Sequence, residues 1–148
     1  MNSQQEETLE KIVTRCVATE DAPRAALLPI LHAVQAEYGF VSEDAVRQIA
    51  ARLNLTRAEV HGVMSFYHDF RSEPATLPVI KLCRAEACKA RGVEALVPEA
   101  ERAASGKVMI ETVYCLGLCA VGPNAMTGNA VHGRLDAAKL GKLIEVAA

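Results

Sequence analysis

Cys83, Cys88, Cys115 and Cys119 are the residues of this chain best suited to do chemistry. They form two tight pairs, one in CRAEAC and one in CLGLC, with residues 89–114 between them. Thiols spaced this closely can hold a metal, exchange disulfides or form a structural bridge, and the rest of the sequence helps to choose. The start, MNSQQEETLE, is polar and acidic where a secretory leader needs a basic and then an apolar run. No apolar stretch approaches the ~18 to 20 residues that span a bilayer. The chain is therefore expected in the cytoplasm, where thiols stay reduced and paired cysteines more often bind metal or do redox work than build a disulfide framework.

Spacing narrows the chemistry further. Four thiolates can hold zinc or an iron–sulfur cluster. Structural zinc knuckles usually space their cysteines by two to four residues and often add histidine. Plant-type [2Fe–2S] proteins do open with C-x4-C, but their third cysteine follows after only two more residues. Here the pairs are C-x4-C and C-x3-C and lie far apart, which suits a two-iron rhomb taking one pair on each iron. Zinc, thiol–disulfide exchange and a purely structural role stay open as other readings, although the redox pair C-x-x-C is missing.

Something must bring the two pairs together. VIKLC is a short β-branched run that ends on Cys83, and KVMIETVY alternates in character and ends just before Cys115, so both read as strands. Were these strands parallel neighbours, the loops after them would leave the same end of the sheet and four sulfurs could converge. Between them EACKARGVEALVPEAERAAS reads as one helix ending at Gly106, with Pro98 expected to kink or break it. After CLGLCAVGP, the segments NAMT and AVHGR flank the turn pair Gly128-Asn129, and Asp136 is placed to cap a last helix, AAKLGKLIEV. The order β-α-β then β-β-α predicts a thioredoxin-like domain with a parallel first pair of strands and an antiparallel second.

The first half is helical. Leu9, Ile12, Val13, Cys16 and Val17 share one helical face, with Ser3 a candidate N-cap and Cys16 turned into the apolar stripe as a buried small hydrophobe. RAALLPILHAVQAEYG continues as a helix ending at Gly39, its regular part starting near Leu28 because Pro29 is awkward in a helix interior. EDAVRQIAARL follows Ser42, and a fourth helix opens at the capping box Thr56 to Glu59 and carries Val60, Val63, Met64 and Tyr67. Two prolines in RSEPATLP mark a linker. The expected organisation is α+β: an N-terminal helical bundle over residues 1–71, then a thioredoxin-like cluster domain over 72–148.

Composition excludes several functions. With 16 basic and 18 acidic residues among 148, net −2, there is no electrostatic footprint for nucleic acid. Nucleotide-binding and serine-hydrolase motifs are absent. His32, His61, His68 and His132 lie apart, none at ligand spacing with another, so structural or surface roles are expected of them. Gly92, Gly117 and Gly122 would permit close backbone approach to a bound group, and Lys81, Arg84 and Lys89 could offset its charge or be ordinary solvated residues. The aromatic segment HGVMSFYHDF is either core packing or a docking surface for a partner.

Taken together, the helical stretch LLPILHAVQAEYGFVSEDAVRQIAARLNLTRAEVHGVMSFYHDF, then CRAEAC and VYCLGLCAVGP, resembles the thioredoxin-like [2Fe–2S] subunit of NADH dehydrogenase modules, the 24 kDa type. CRAEAC and YCLGLCAVGP look most like the gamma subunit of the molybdenum-containing NAD-dependent formate dehydrogenase. The resemblance implies that Cys83, Cys88, Cys115 and Cys119 ligate a [2Fe–2S] cluster. It also implies a partner subunit carrying FMN, NAD and a [4Fe–4S] cluster, and a molybdopterin subunit that oxidises formate. The chain would be an electron carrier, not catalytic alone. An equivalent subunit of complex I or of an NAD-reducing hydrogenase is the near alternative, and a structural zinc scaffold the distant one.

Overall fold

The structure, a computed structural model, describes residues 3–148. It divides into two compact units, one ending at Ala75 and the other running from Thr76 to Ala148.

In the first unit, four helices share one hydrophobic core: α1 (Ser3–Ala18), α2 (Leu27–Tyr38), α3 (Glu43–Leu53) and α4 (Arg57–Phe66). Leu9, Ile12, Val13 and Cys16 line the buried stripe of α1, and Ile30, Leu31 and Val34 that of α2. Ser3 lies inside α1 rather than capping it. A 3₁₀ turn, Pro23–Ala26, leads directly into α2, so Pro29 falls in its first turn, where proline is tolerated. Helix ends follow their local chemistry. Gly39 terminates α2 at φ 81°, the Ser42 hydroxyl accepts from the Ala45 N–H, and Thr56 and Glu59 complete a reciprocal capping box.

Past α4 the chain turns back. Gln35 donates its amide to the Asp69 carbonyl at 2.6 Å and accepts the Arg71 N–H at 2.7 Å, while Val41 donates to the Arg71 carbonyl. This return buries Phe70 against His32, ring centroids 4.9 Å apart. It also corrects the place expected for Tyr67. That residue ends the helix in an extended conformation and is 43% exposed, because the chain must leave the helical path there to bring Phe70 inward.

The second unit is a four-stranded sheet flanked by helices: β1 (Val79–Cys83), α5 (Glu86–Ala90), α6 (Val93–Ala104), β2 (Met109–Val113), β3 (Ala125–Thr127), β4 (Ala130–His132) and α7 (Ala137–Ala147). The strand order is β2-β1-β3-β4. β1 and β2 are parallel, and β3 is antiparallel to both β1 and β4. Ile80 and Leu82 of β1 point into a core completed by Val93, Ala100 and Ala104 of α6 and by Leu140 and Ile144 of α7. The Asp136 carboxylate accepts the Lys139 N–H at 2.8 Å and caps α7.

One expectation fails here. The single helix after Cys83 is two, and the break falls at Arg91-Gly92 rather than at Pro98. Gly92 adopts φ 89°, left-handed and unfavourable for any other residue, and this turns the chain between α5 and α6. Pro98 lies within α6 on its exposed side, opposite the buried Val93 and Ala100. The Glu94 carbonyl that loses its partner there is also on an exposed residue, where water can replace the missing bond.

Candidate metal centre

The parallel pairing of β1 with β2 sets the site. Cys83, the last residue of β1, is in register with Val113, the last of β2, so Cys115 follows two residues beyond the neighbouring strand end. The Arg84 N–H continues the pairing to the Val113 carbonyl at 2.9 Å. Cys88 comes back to this end on the short helix α5, with its N–H bonded to the Ala85 carbonyl. Cys119 opens a 3₁₀ turn, Cys119–Val121. Both Cys115, at φ 72°, and Gly117, at φ 80°, are left-handed, which curls the loop so that the Cys115 and Cys119 sulfurs come to 3.8 Å.

The two pairs differ in surroundings. Cys83 and Cys88 are each 1% exposed, whereas Cys115 and Cys119 are exposed. Burial pushes the Cys83 thiol up, but the N–H groups of Ala85, Cys115 and Leu116 and the Cys88 thiol all point hydrogen at its sulfur, and together they bring it below the ordinary cysteine value. Burial raises Cys88, and the neighbouring Cys83 raises it further, only partly offset by the Asn124 N–H. Cys119 is raised by its hydrogen bond with Cys115 and by that neighbour's charge. The charges of Cys119 and Cys88, and of Cys83 and Cys119, are felt across the gap between the pairs.

Space is also reserved beside the sulfurs. A methyl group on Gly122 would stand 3.2 Å from the Cys88 sulfur and 3.1 Å from Cδ of Arg91, so a side chain there would crowd that sulfur. Gly92 and Gly117 take positive φ, which favours glycine, and a methyl on either would meet no protein atom within 4 Å.

Three charged residues expected to answer the charge of the site have other business. Arg84 makes a two-pronged pair with Glu94 at 2.9 and 2.6 Å, and Lys89 faces Glu86 at 3.4 Å. Lys81 lies within β1 and also has an interaction of its own. The histidines have partners or surroundings of their own: His132 bonds with the Thr127 hydroxyl at 2.8 Å, and within the helical unit His61 pairs with Glu43 at 3.0 Å, His32 packs on Phe70 and His68 is exposed beyond α4.

Asn124 is the residue the sequence did not point to. It is 1% exposed and the single buried polar side chain among the described residues. In the sequence it only opens the segment NAMT, and the pairing of β3 with β1 brings it beside Cys83 and Cys88.

Among the described residues no three or more His, Cys, Asp or Glu side chains are gathered as for a single ion. The thiols stand instead as two pairs. Four soft donors in pairs, N–H groups aimed at a sulfur and a glycine-cleared flank fit a group that takes two thiolates on each of two iron atoms.

The chain belongs to the thioredoxin-like [2Fe-2S] ferredoxin family, whose model it matches over residues 10–148. Its cofactor is a [2Fe-2S] cluster, which removes the support for the zinc reading. Among curated proteins it is 30% identical over 147 residues to a NADH-quinone oxidoreductase subunit of Rhizobium meliloti (strain 1021), covering 93% of this chain and 88% of that protein. It is 27% identical over 127 residues to the NADP-reducing hydrogenase subunit HndA of Solidesulfovibrio fructosivorans, covering 80% and 74%. Among solved structures it resembles a chain of the NAD+-reducing [NiFe]-hydrogenase in the air-oxidized state, with a TM-score of 0.67 and 26% identity. That match covers 80% of this chain and only 22% of the hydrogenase chain. No described helix is long and apolar enough to cross a membrane.

Proposed function

We propose that Cys83 and Cys88 ligate one iron of the cluster and Cys115 and Cys119 the other, and that the chain is an electron-transfer subunit of a multi-subunit, nicotinamide-linked oxidoreductase. The carrying observation is the parallel register of Cys83 with Val113, which puts the ends of both thiol-bearing loops side by side. The cluster supplies one-electron redox chemistry. The protein holds it by thiolates, stabilises charge on the Cys83 sulfur with three main-chain N–H groups, and keeps the inner sulfurs from water. On this reading the helices of residues 1–71 form a bundle domain ahead of a cluster domain, 72–148, and the chain works in the cytoplasm with a subunit that binds FMN, NAD and a [4Fe–4S] cluster.

Kinship with a NADH-quinone oxidoreductase and with hydrogenases favours a complex I or hydrogenase assembly as the parent. CRAEAC and YCLGLCAVGP favour instead a formate dehydrogenase, whose molybdopterin subunit would feed electrons in. Purifying the native complex and assaying formate-, hydrogen- and quinone-linked nicotinamide reactions separates the two. The ligand assignment has its own test: Cys88→Ser should lose or strongly perturb the cluster's electron paramagnetic resonance signal, and Cys16→Ser should leave it as it is. An unperturbed signal in Cys88→Ser overturns the assignment.

A further inference from the structure

Asn124 touches Cys83, Cys88 and the loop that leads into Cys119. Its carbonyl accepts the Cys83 N–H at 3.0 Å. Its side-chain Nδ2 donates to the Leu118 carbonyl at 2.9 Å, immediately before Cys119. Its Oδ1 receives the Cys88 thiol at 3.6 Å. Of these contacts only the last needs the Cys88 proton, which is lost when that sulfur binds metal. The others do not depend on it.

We propose that Asn124 is the positioning residue of the cluster site, coupling the buried pair to the loop of the exposed pair. This rests on the ligand assignment above. The Leu118 carbonyl also accepts the Val121 N–H, but that donor belongs to the same loop and moves with it, so it gives no anchor to the sheet. Cys115 and Cys119 are exposed, so their loop gets little help from burial. A buried amide that donates to Leu118 gives that loop a fixed point, and its burial makes the bond costly to lose because the amide's polar atoms would be left without that partner. Shape alone would be met by leucine, which has a similar side-chain outline and no polar atoms. The choice of amide is therefore explained by the bond to Leu118 and not by filling space.

The test uses the full chain with its cluster, in three forms: wild type, Asn124→Leu and Cys88→Ser. An iron chelator is added under reducing conditions and loss of visible absorbance is followed, and the reduced proteins are compared by electron paramagnetic resonance. Asn124→Leu should release the cluster about tenfold faster, the scale of one lost buried hydrogen bond, with changed g values. Wild-type release and g values in Asn124→Leu overturn the proposal. If in addition Cys88→Ser is unperturbed, the ligand assignment has failed as well; if Cys88→Ser is perturbed, only the role of Asn124 has.

A second variant covers the case in which Asn124→Leu does not fold. Asn124→Ala also removes the amide that donates to Leu118 and adds no bulk, so it too should release the cluster faster than wild type. Wild-type release in Asn124→Ala overturns the proposal.

Discussion

The buried pair, Cys83 and Cys88, and the exposed pair, Cys115 and Cys119, supply the same donor atoms from opposite environments. The inner sulfurs are built into regular structure, one at a strand end and one on a helix, and are surrounded by core. The outer sulfurs hang on a loop whose shape comes from left-handed backbone at Cys115 and Gly117. Rigidity on one side comes from packing, and on the other from backbone conformation and a few hydrogen bonds. This difference teaches where such a site is strong: changes to packing should damage the inner half, and changes to backbone freedom the outer half.

The largest effect is expected from filling the inner flank. Gly122→Val places branched carbons where even a methyl already meets the Cys88 sulfur at 3.2 Å, so reconstitution should yield little or no cluster, measured as iron and sulfide per chain. Full yield would show that the inner pair is less confined than its burial indicates. Next comes core loss beneath the same pair. Ile80→Ala, at a fully buried position on the strand that ends in Cys83, should cost about 3 kcal/mol of stability by denaturant unfolding, the usual scale for such a truncation.

A direct contrast follows from accessibility. In the reduced, cluster-free chain, iodoacetamide should modify Cys115 and Cys119 well before Cys83, Cys88 and Cys16, as read by mass spectrometry of digests over time. Cys83 sharpens the test because its thiol is the more acidic member of the inner pair and yet is buried. Early labelling of Cys83 would mean that acidity outweighs burial there.

The smallest effect concerns the helical unit. Glu59 is held below the ordinary carboxylate range by the Thr56 N–H, then by the Thr56 hydroxyl, with a lesser contribution from Arg24. A carboxyl depressed in the folded state stabilises fully above its unfolded value and loses that contribution as pH falls through the folded one. Glu59→Gln keeps the capping box but has no charge to lose, so its melting temperature should fall less steeply with acidification below the ordinary carboxylate range. Parallel slopes for the two proteins would remove the charge from the explanation of this cap.

Much of the site is legible in the sequence alone, for specific reasons. The runs ending at Cys83 and before Cys115 are short and rich in β-branched or alternating residues, and such patterning is a local property that can be read without the fold. The caps at Ser42, Thr56 and Asp136 are legible because their bonds reach only three residues along the chain. What escapes depends on distant parts. Arg84 faces Glu94 from across the α5–α6 turn, and Asn124 reaches Cys83 and Cys88 only through sheet pairing. Pro98 misleads because proline's cost depends on which carbonyl is stranded and whether water can reach it, while Gly92 carries the real break.

The register of Cys83 with Val113 also sets which lengths of chain this site can vary. The crossover leaves the sheet after Cys83, carries Cys88 on α5 and rejoins the sheet at β2, so residues added at its exposed turn near Ser105 and Gly106 need not move a sulfur. One residue added between β2 and Cys115, or within either cysteine pair, has no such slack: it would shift one thiol relative to the others. Related chains that keep this chemistry should therefore differ freely in the length of the crossover and hardly at all in the two short spacings.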